Sequence, residues 1–189
     1  MELIVGILVV IVLLALMLIA IHNKIITRYN NTMRAWADVI AQERQKNKIL
    51  PELEKMVEQY RIHESSVLTS ITELRASLSA LSADKTDSTQ LKDSQTKTRS
   101  LINNLYAVSE NYPDLKASNL YSNLMKEITE QQDNIAAAVR IFNANVADFN
   151  TGIEVFPASV VNQMITQKHR LDVFSDTKAE SGFDYKPNF

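Results

Sequence analysis

His63 and Glu64, an imidazole beside a carboxylate, are the neighbours in this chain best suited to chemistry. Such a pair can transfer protons or help to hold a metal. The zinc-protease motif needs a second histidine four residues after the first, and that position is Val67. A di-iron centre in a helical bundle needs Glu-x-x-His on two helices and a glutamate on each of two others. Three residues before His63 stands Tyr60, and His22 and His169 are remote in sequence. With no cysteine and only three glycines, the chain has neither a thiol nucleophile nor a glycine-rich phosphate loop, and no Ser/His/Asp set stands out. The pattern predicts no enzyme, no catalytic residue, no cofactor and no metal. Glu64 falls on an apolar seam, where the expectation is a partly buried carboxylate paired with Arg140 or hydrogen-bonded across helices.

The element that must position everything else is the first one. Leu3 to Ile21 carries no charge. Its nineteen residues, at ~1.5 Å each, nearly match a hydrocarbon core of about 30 Å. A cleavable leader would have a basic start, a shorter core and a small-x-small site. Here the start is Met1-Glu2 and the exit is Ala20-Ile21-His22. The reading is an uncleaved transmembrane anchor over residues 1–22, with Leu3, Leu13 and Ile21 along it. Lys24, Arg28 and Arg34 follow the span before the first acid, Asp38. Positive charge on that side predicts a single pass, N-terminus outside and the body in the cytoplasm.

Three glycines and four prolines in 189 residues point to long helices rather than a sheet. Apolar positions recur every three or four residues in four stretches, about 23–48, 51–80, 88–112 and 118–156. The first carries Ile26, Tyr29, Met33, Trp36 and Ile40, then fades in a polar run through Lys48. Leu50 stands before Pro51, a position turned away from helical geometry, and Pro51 suits the start of the next helix. The second seam runs Leu53, Val57, Tyr60, Glu64, Val67, Ile71, Leu74, Leu78, Leu81. Asp87-Ser88-Thr89-Gln90 has the form of a capping box. The fourth stretch runs from Tyr121 through Phe142 and Phe149 to Phe156, ended by Pro157. Its aromatics, with Tyr29 and Trp36, are expected in the core, and Asn143, Asn145 and Asn150 are expected to fix register between helices. Gly152 interrupts this stretch and suggests a close approach by a neighbour. The fold class is therefore all-α: an N-terminal transmembrane helix continuous with an antiparallel up-down four-helix bundle over residues 23–157. Residues 158–189 form a C-terminal amphipathic segment (Val160, Val161, Met164, Ile165, Leu171, Phe174) and an extended aromatic tail. In the tail, Phe183, Tyr185 and Phe189 are candidate contacts to a second copy.

Several blocks together carry a family resemblance: Arg28-Tyr29-Asn30, Ala35-Trp36-Ala37-Asp38, Leu50-Pro51-Glu52, His63-Glu64, Asn111-Tyr112-Pro113-Asp114-Leu115, and Asn150-Thr151-Gly152 through Phe156-Pro157. In this order they resemble the LemA family of bacterial membrane proteins, over nearly the whole chain. The resemblance implies an N-terminal membrane helix and an antiparallel four-helix domain, and no established catalytic chemistry. It also implies relatives in magnetosome membranes and beside membrane peptidases. The chain departs from the family pattern at Ala41-Gln42-Glu43 and at Ala158-Ser159-Val160-Val161.

Charge is balanced, with 20 basic and 22 acidic side chains, so no basic field suits nucleic acid as a partner. The functional expectation is a membrane-anchored, homo-oligomeric helical scaffold that organises or remodels the bacterial membrane, with lipids and further copies of itself as partners. The alternative is a membrane adaptor that presents or regulates a membrane protein such as a peptidase.

Overall fold

The computed structural model describes residues 1–60, 62 and 64–175. Every regular element among them is helical. Helix α1 (Glu2–Arg44) runs unbroken from the apolar stretch into the polar chain and tightens into a 3-10 turn over Gln45–Lys48. Then come α2 (Leu50–Gln59), α3 (Ser65–Ala80), α4 (Ser88–Asn111), the short α5 (Pro113–Lys116) and α6 (Asn119–Glu154). Helix α7 (Ala158–Val161) continues as a π-helical turn over Asn162–Thr166.

The boundary expected before Pro51 is present but shallow, with α2 beginning at Leu50 directly after the 3-10 turn. Ile49 keeps helical dihedrals (φ −82°, ψ −30°) and its carbonyl accepts from the amides of Glu52 and Leu53. Pro51 sits in a first turn, where a missing N–H leaves no bond unmade. The stretch expected as one helix over 51–80 is instead interrupted between Gln59 and Ser65, with Glu64 extended (φ −74°, ψ 103°). Ile62 supplies the physical reason. On a continuous helix with its seam at 57, 60, 64 and 67, residue 62 would face away from the core. The interruption buries it to 4% exposure and lets its amide bond to the Val57 carbonyl.

The chain forms two compact units, one of residues 1–35 and 141–173, the other of residues 36–140 and 174 onward. In the first, Ile25, Phe149, Ile153 and Val161 make the core, with Ile21, Tyr29, Ala158 and Leu171 packed on it. Tyr29 meets Phe149 edge-on, ring centroids 5.6 Å apart, a geometry worth about 0.5–1.5 kcal/mol beyond area. The single amphipathic helix expected after Pro157 is curtailed. Gln167 takes a left-handed conformation (φ 47°) and closes the π-helical turn, and the chain runs on without regular structure through residue 175. The aromatic tail lies outside the described residues.

In the second unit the seams read from sequence are the buried ones. Leu53 and Val57 of α2, Val67, Ile71, Leu74 and Leu78 of α3, and Leu91, Leu101, Leu105 and Val108 of α4 are all buried. Helices α3 and α4 pack on each other. Carbonyls at the end of α3 would be left without helical partners. Arg44 Nη2 donates to the Leu81 carbonyl (2.6 Å) and Trp36 Nε1 to that of Ser82 (3.0 Å). Asp87 Oδ1 accepts from the amides of Thr89 and Gln90 (2.9 and 3.2 Å), so the Asp87 half of the expected capping box is made at the start of α4, while Gln90 Oε1 is buried without reaching back.

Replacing that cap with Asp87→Ala is expected to cost about 1 kcal/mol. Urea unfolding of the purified protein should show a lower midpoint at unchanged slope.

Candidate functional site

The residues singled out by sequence fall into several places. Leu3 and Leu13 are exposed along the apolar part of α1, and Ile21 is the point where that surface becomes half-covered. An eighteen-residue window there reaches a mean hydropathy of 3.5, with none of it covered by the rest of the chain, so α1 is long and apolar enough to cross a membrane. Asn111, Pro113 and Asp114 are exposed at the turn from α4 to α5, anchored by the fully buried Leu115. Ser118 then caps α6, its hydroxyl accepting from the Tyr121 amide. Glu64 is half-buried, as expected, but pairs with neither Arg140 nor any other described side chain. His63 lies outside the described residues. No group of three His, Asp or Glu suited to a metal occurs among the described residues.

Asn150 is spent on structure. Its Nδ2 donates to the Leu171 carbonyl (2.8 Å) and its Oδ1 accepts from the Leu171 amide (3.0 Å). Asn162 does the same to Lys168, with both contacts at 3.0 Å. These bonds hold the stretch after α7, and Lys168 lays its ammonium 3.9 Å from the centre of the Tyr29 ring. Asn145 bonds within its own helix to the Ile141 carbonyl, while its backbone carbonyl accepts from the Thr32 hydroxyl.

Phe156 corrects the sequence reading. It was expected to close the core stripe of α6 and is instead 83% exposed. The helix stops at Glu154, two residues short, so the register that would have carried Phe156 inward is lost. Val155, Val160, Met164 and Ile165 nearby in sequence are also about half exposed or more. Beside Phe156 opens a cleft of about 230 Å³, lined by Ile21, Lys24, Arg28, Gly152 and Pro157 among others, with no acidic side chain in its wall. Arg28 is fixed there. Its Nε contacts Asp148 Oδ2 at 3.0 Å, and its guanidinium lies against Gly152 so closely that a Cβ on that residue would stand 2.1 Å from Nη1. The close approach suggested for Gly152 is therefore made by a side chain.

A second cluster, in the other unit, was missed from sequence. The run after Ile40 reads as a polar stretch in which the seam fades, yet Glu43 and Lys46 are buried at 0% and 3% exposure. Lys46 Nζ donates to Glu43 Oε1 (2.6 Å) and to the Thr98 hydroxyl (3.0 Å), and Ser94 Oγ donates to the same carboxylate oxygen (2.8 Å). Burial holds the Lys46 pKa below its ordinary value of 10.5, opposed by the adjacent Glu43 charge. The missed signal was spacing. Trp36, Ile40, Glu43 and Lys46 continue one face at intervals of four, three and three.

These features define an all-helical protein whose N-terminal helix can span a membrane and whose buried polar groups largely hold one another or the backbone. The LemA family model matches residues 35–183, and the chain belongs to that family. It is similar to Protein LemA of Metamycoplasma hominis, at 32% identity over 143 residues, 76% of this chain and 64% of that protein. It is also similar to Magnetosome protein MamQ of Magnetospirillum gryphiswaldense, at 30% identity over 78 residues, 41% of this chain and 28% of that one. The matches therefore cover less than two thirds of either relative's length.

Three variants test the energetics. Lys46→Met leaves the Glu43 carboxylate buried without its cation and should cost about 3–5 kcal/mol, whereas the Glu43→Leu/Lys46→Met pair should recover most of that loss. Denaturant curves on the two variants measure both. Gly152→Ala gains up to ~1 kcal/mol of helix propensity and forfeits an ion pair of similar or smaller worth. Its thermal midpoint should stay within a few degrees of the parent while the Arg28 side chain is displaced, which NMR of the guanidinium reads directly.

Proposed function

We propose that this chain is a membrane-anchored helical scaffold that self-associates and organises or remodels the bacterial membrane, without catalysis. The observation that carries the proposal is the set of exposed apolar side chains in the unit that follows the span. Ile21 leads into a unit that displays Val155, Phe156, Val160, Met164 and Ile165. A domain built to work free in water would cover most of such a set.

The polar groups support a structural role. Glu43, Lys46, Asn150 and Asn162 are bonded to side chains or backbone within their own unit, where they fix packing. The four-helix arrangement belongs to the same proposal, supported by the packing of α3 on α4 and by the buried seams of α1, α2 and α6. The N-out orientation, with the body in the cytoplasm, is supported by Lys24, Arg28 and Arg34 on the exit side of the span.

Native mass measurement of the detergent-extracted complex is the test. More than one copy per particle is expected, and a strict monomer overturns the proposal. A stoichiometric second protein would establish the adaptor reading in its place. A Gly-Ser insertion at Asn23, which uncouples the span from Ile25 and the core behind it, is expected to abolish assembly function while the inserted protein still reaches the membrane.

A further inference from the structure

We propose that the cleft beside Phe156 binds the headgroup of an anionic phospholipid from the bilayer that α1 crosses, with Lys24 and Arg28 on the phosphate and Phe156 at the acyl boundary. The inference rests on the membrane-anchored reading and adds a ligand site to it.

Depth comes first. Ile21 is the last residue of the apolar stretch and lines the cleft. Lys24 lies about 4.5 Å and Arg28 about 10 Å further along the helix axis, against an interfacial layer of about 5–8 Å per leaflet. Side chains on a helix lean toward its N-terminus, here toward the bilayer, so both cationic groups reach back to headgroup level. The two residues are also four apart and share one face.

Charge and shape follow. Two cations and no acid line the wall; Asp148 behind it counters part of the Arg28 charge, and Lys24, exposed and with no ion pair among the described residues, supplies the uncompensated positive charge. Arg28 arrives already oriented, held through Nε by Asp148, with Nη1 turned over the bare backbone of Gly152. A pre-set guanidinium loses less freedom on binding an oxyanion than a mobile one. Apolar continuity identifies the source of that oxyanion. A soluble phosphate has no use for a phenyl ring 83% exposed at the cleft edge, with Met164 at 75% exposure in the same unit. A lipid presents phosphate and hydrocarbon together, and aromatic rings favour the level where the two meet.

Native mass spectrometry of the full-length protein in detergent, titrated with phosphatidylglycerol or phosphatidylcholine, tests this site. The parent protein is expected to retain phosphatidylglycerol with about ten-fold or greater preference. Lys24→Gln should weaken phosphatidylglycerol retention about five-fold, the share of one basic residue near the surface, and leave phosphatidylcholine unchanged. Phe156→Ser, at an exposed position, should weaken both lipids alike. Equal retention of the two lipids by the parent, or parental selectivity in Lys24→Gln, overturns the proposal. The copy number appears in the same spectra. A selective monomer would therefore refute the scaffold and keep the lipid site, and an unselective oligomer would do the reverse.

Discussion

Ile25 is the first residue of α1 that the rest of the chain buries. Leu18, two turns earlier, is 46% exposed, while Ile25 is at 1%. Between them the helix exchanges a uniform apolar surround for a partner on one face, supplied by Phe149, Ile153 and Val161. Everything else in that unit is arranged to keep this seat filled. The edge of Tyr29 closes it from one side, and Leu171 is drawn in from the chain that follows α7. Without the seat, a helix with this much exposed hydrocarbon would have no fixed rotation about its own axis. Lys24 and Arg28 would then have no preferred direction. Position along a helix sets the depth of a side chain, but only packing sets its azimuth.

Much of this was legible because helical burial is periodic. The seams of α2, α3 and α4 follow from three-and-four spacing of leucine, isoleucine and valine, and each of those positions named from sequence is buried. Asp87 announced its own cap through residue type and position. The failures share a cause, which is that hydropathy was read as if it were location. Glu43 and Lys46 occupy the core face by geometry, and their chemistry hid them because two opposite charges pair there, through Glu43 Oε1 and not Oε2. Ile62 was read as part of a helix that had no face to spare for it. Phe156 was assigned inward from a periodicity that ends with its helix at Glu154. In each case the information lay in a neighbour the sequence pattern could not name.

The buried Glu43–Lys46 pair also shows how this protein treats polar groups in its core. Each heavy atom that meets the carboxylate oxygen Oε1 comes from a different element: Lys46 from the 3-10 turn after α1 and Ser94 from α4. Thr98 completes the set on the lysine side. An apolar pair in the same volume would be at least as stable, because desolvation offsets most of the attraction between buried charges. What the ionic version adds is directionality. Leucine against leucine tolerates sliding, whereas a lysine that must reach one carboxylate and one hydroxyl does not. It therefore fixes the register of α4 against the turn.

Asn150 and Asn162 hold the chain after α7 by its peptide groups, one residue at a time. A side-chain amide that bonds to both the N–H and the C=O of one residue is blind to what that residue is. The two clamps thus hold positions 168 and 171 by backbone alone, and what limits the side chains there is separate: Leu171 packs on the core and Lys168 lies over the Tyr29 ring. The spacing between them is not free, since two clamps three residues apart accept only one count of residues. Diversification of this segment should proceed by substitution and scarcely ever by insertion or deletion. It is a stretch of chain whose length is set by its backbone bonds and whose side chains answer to other neighbours.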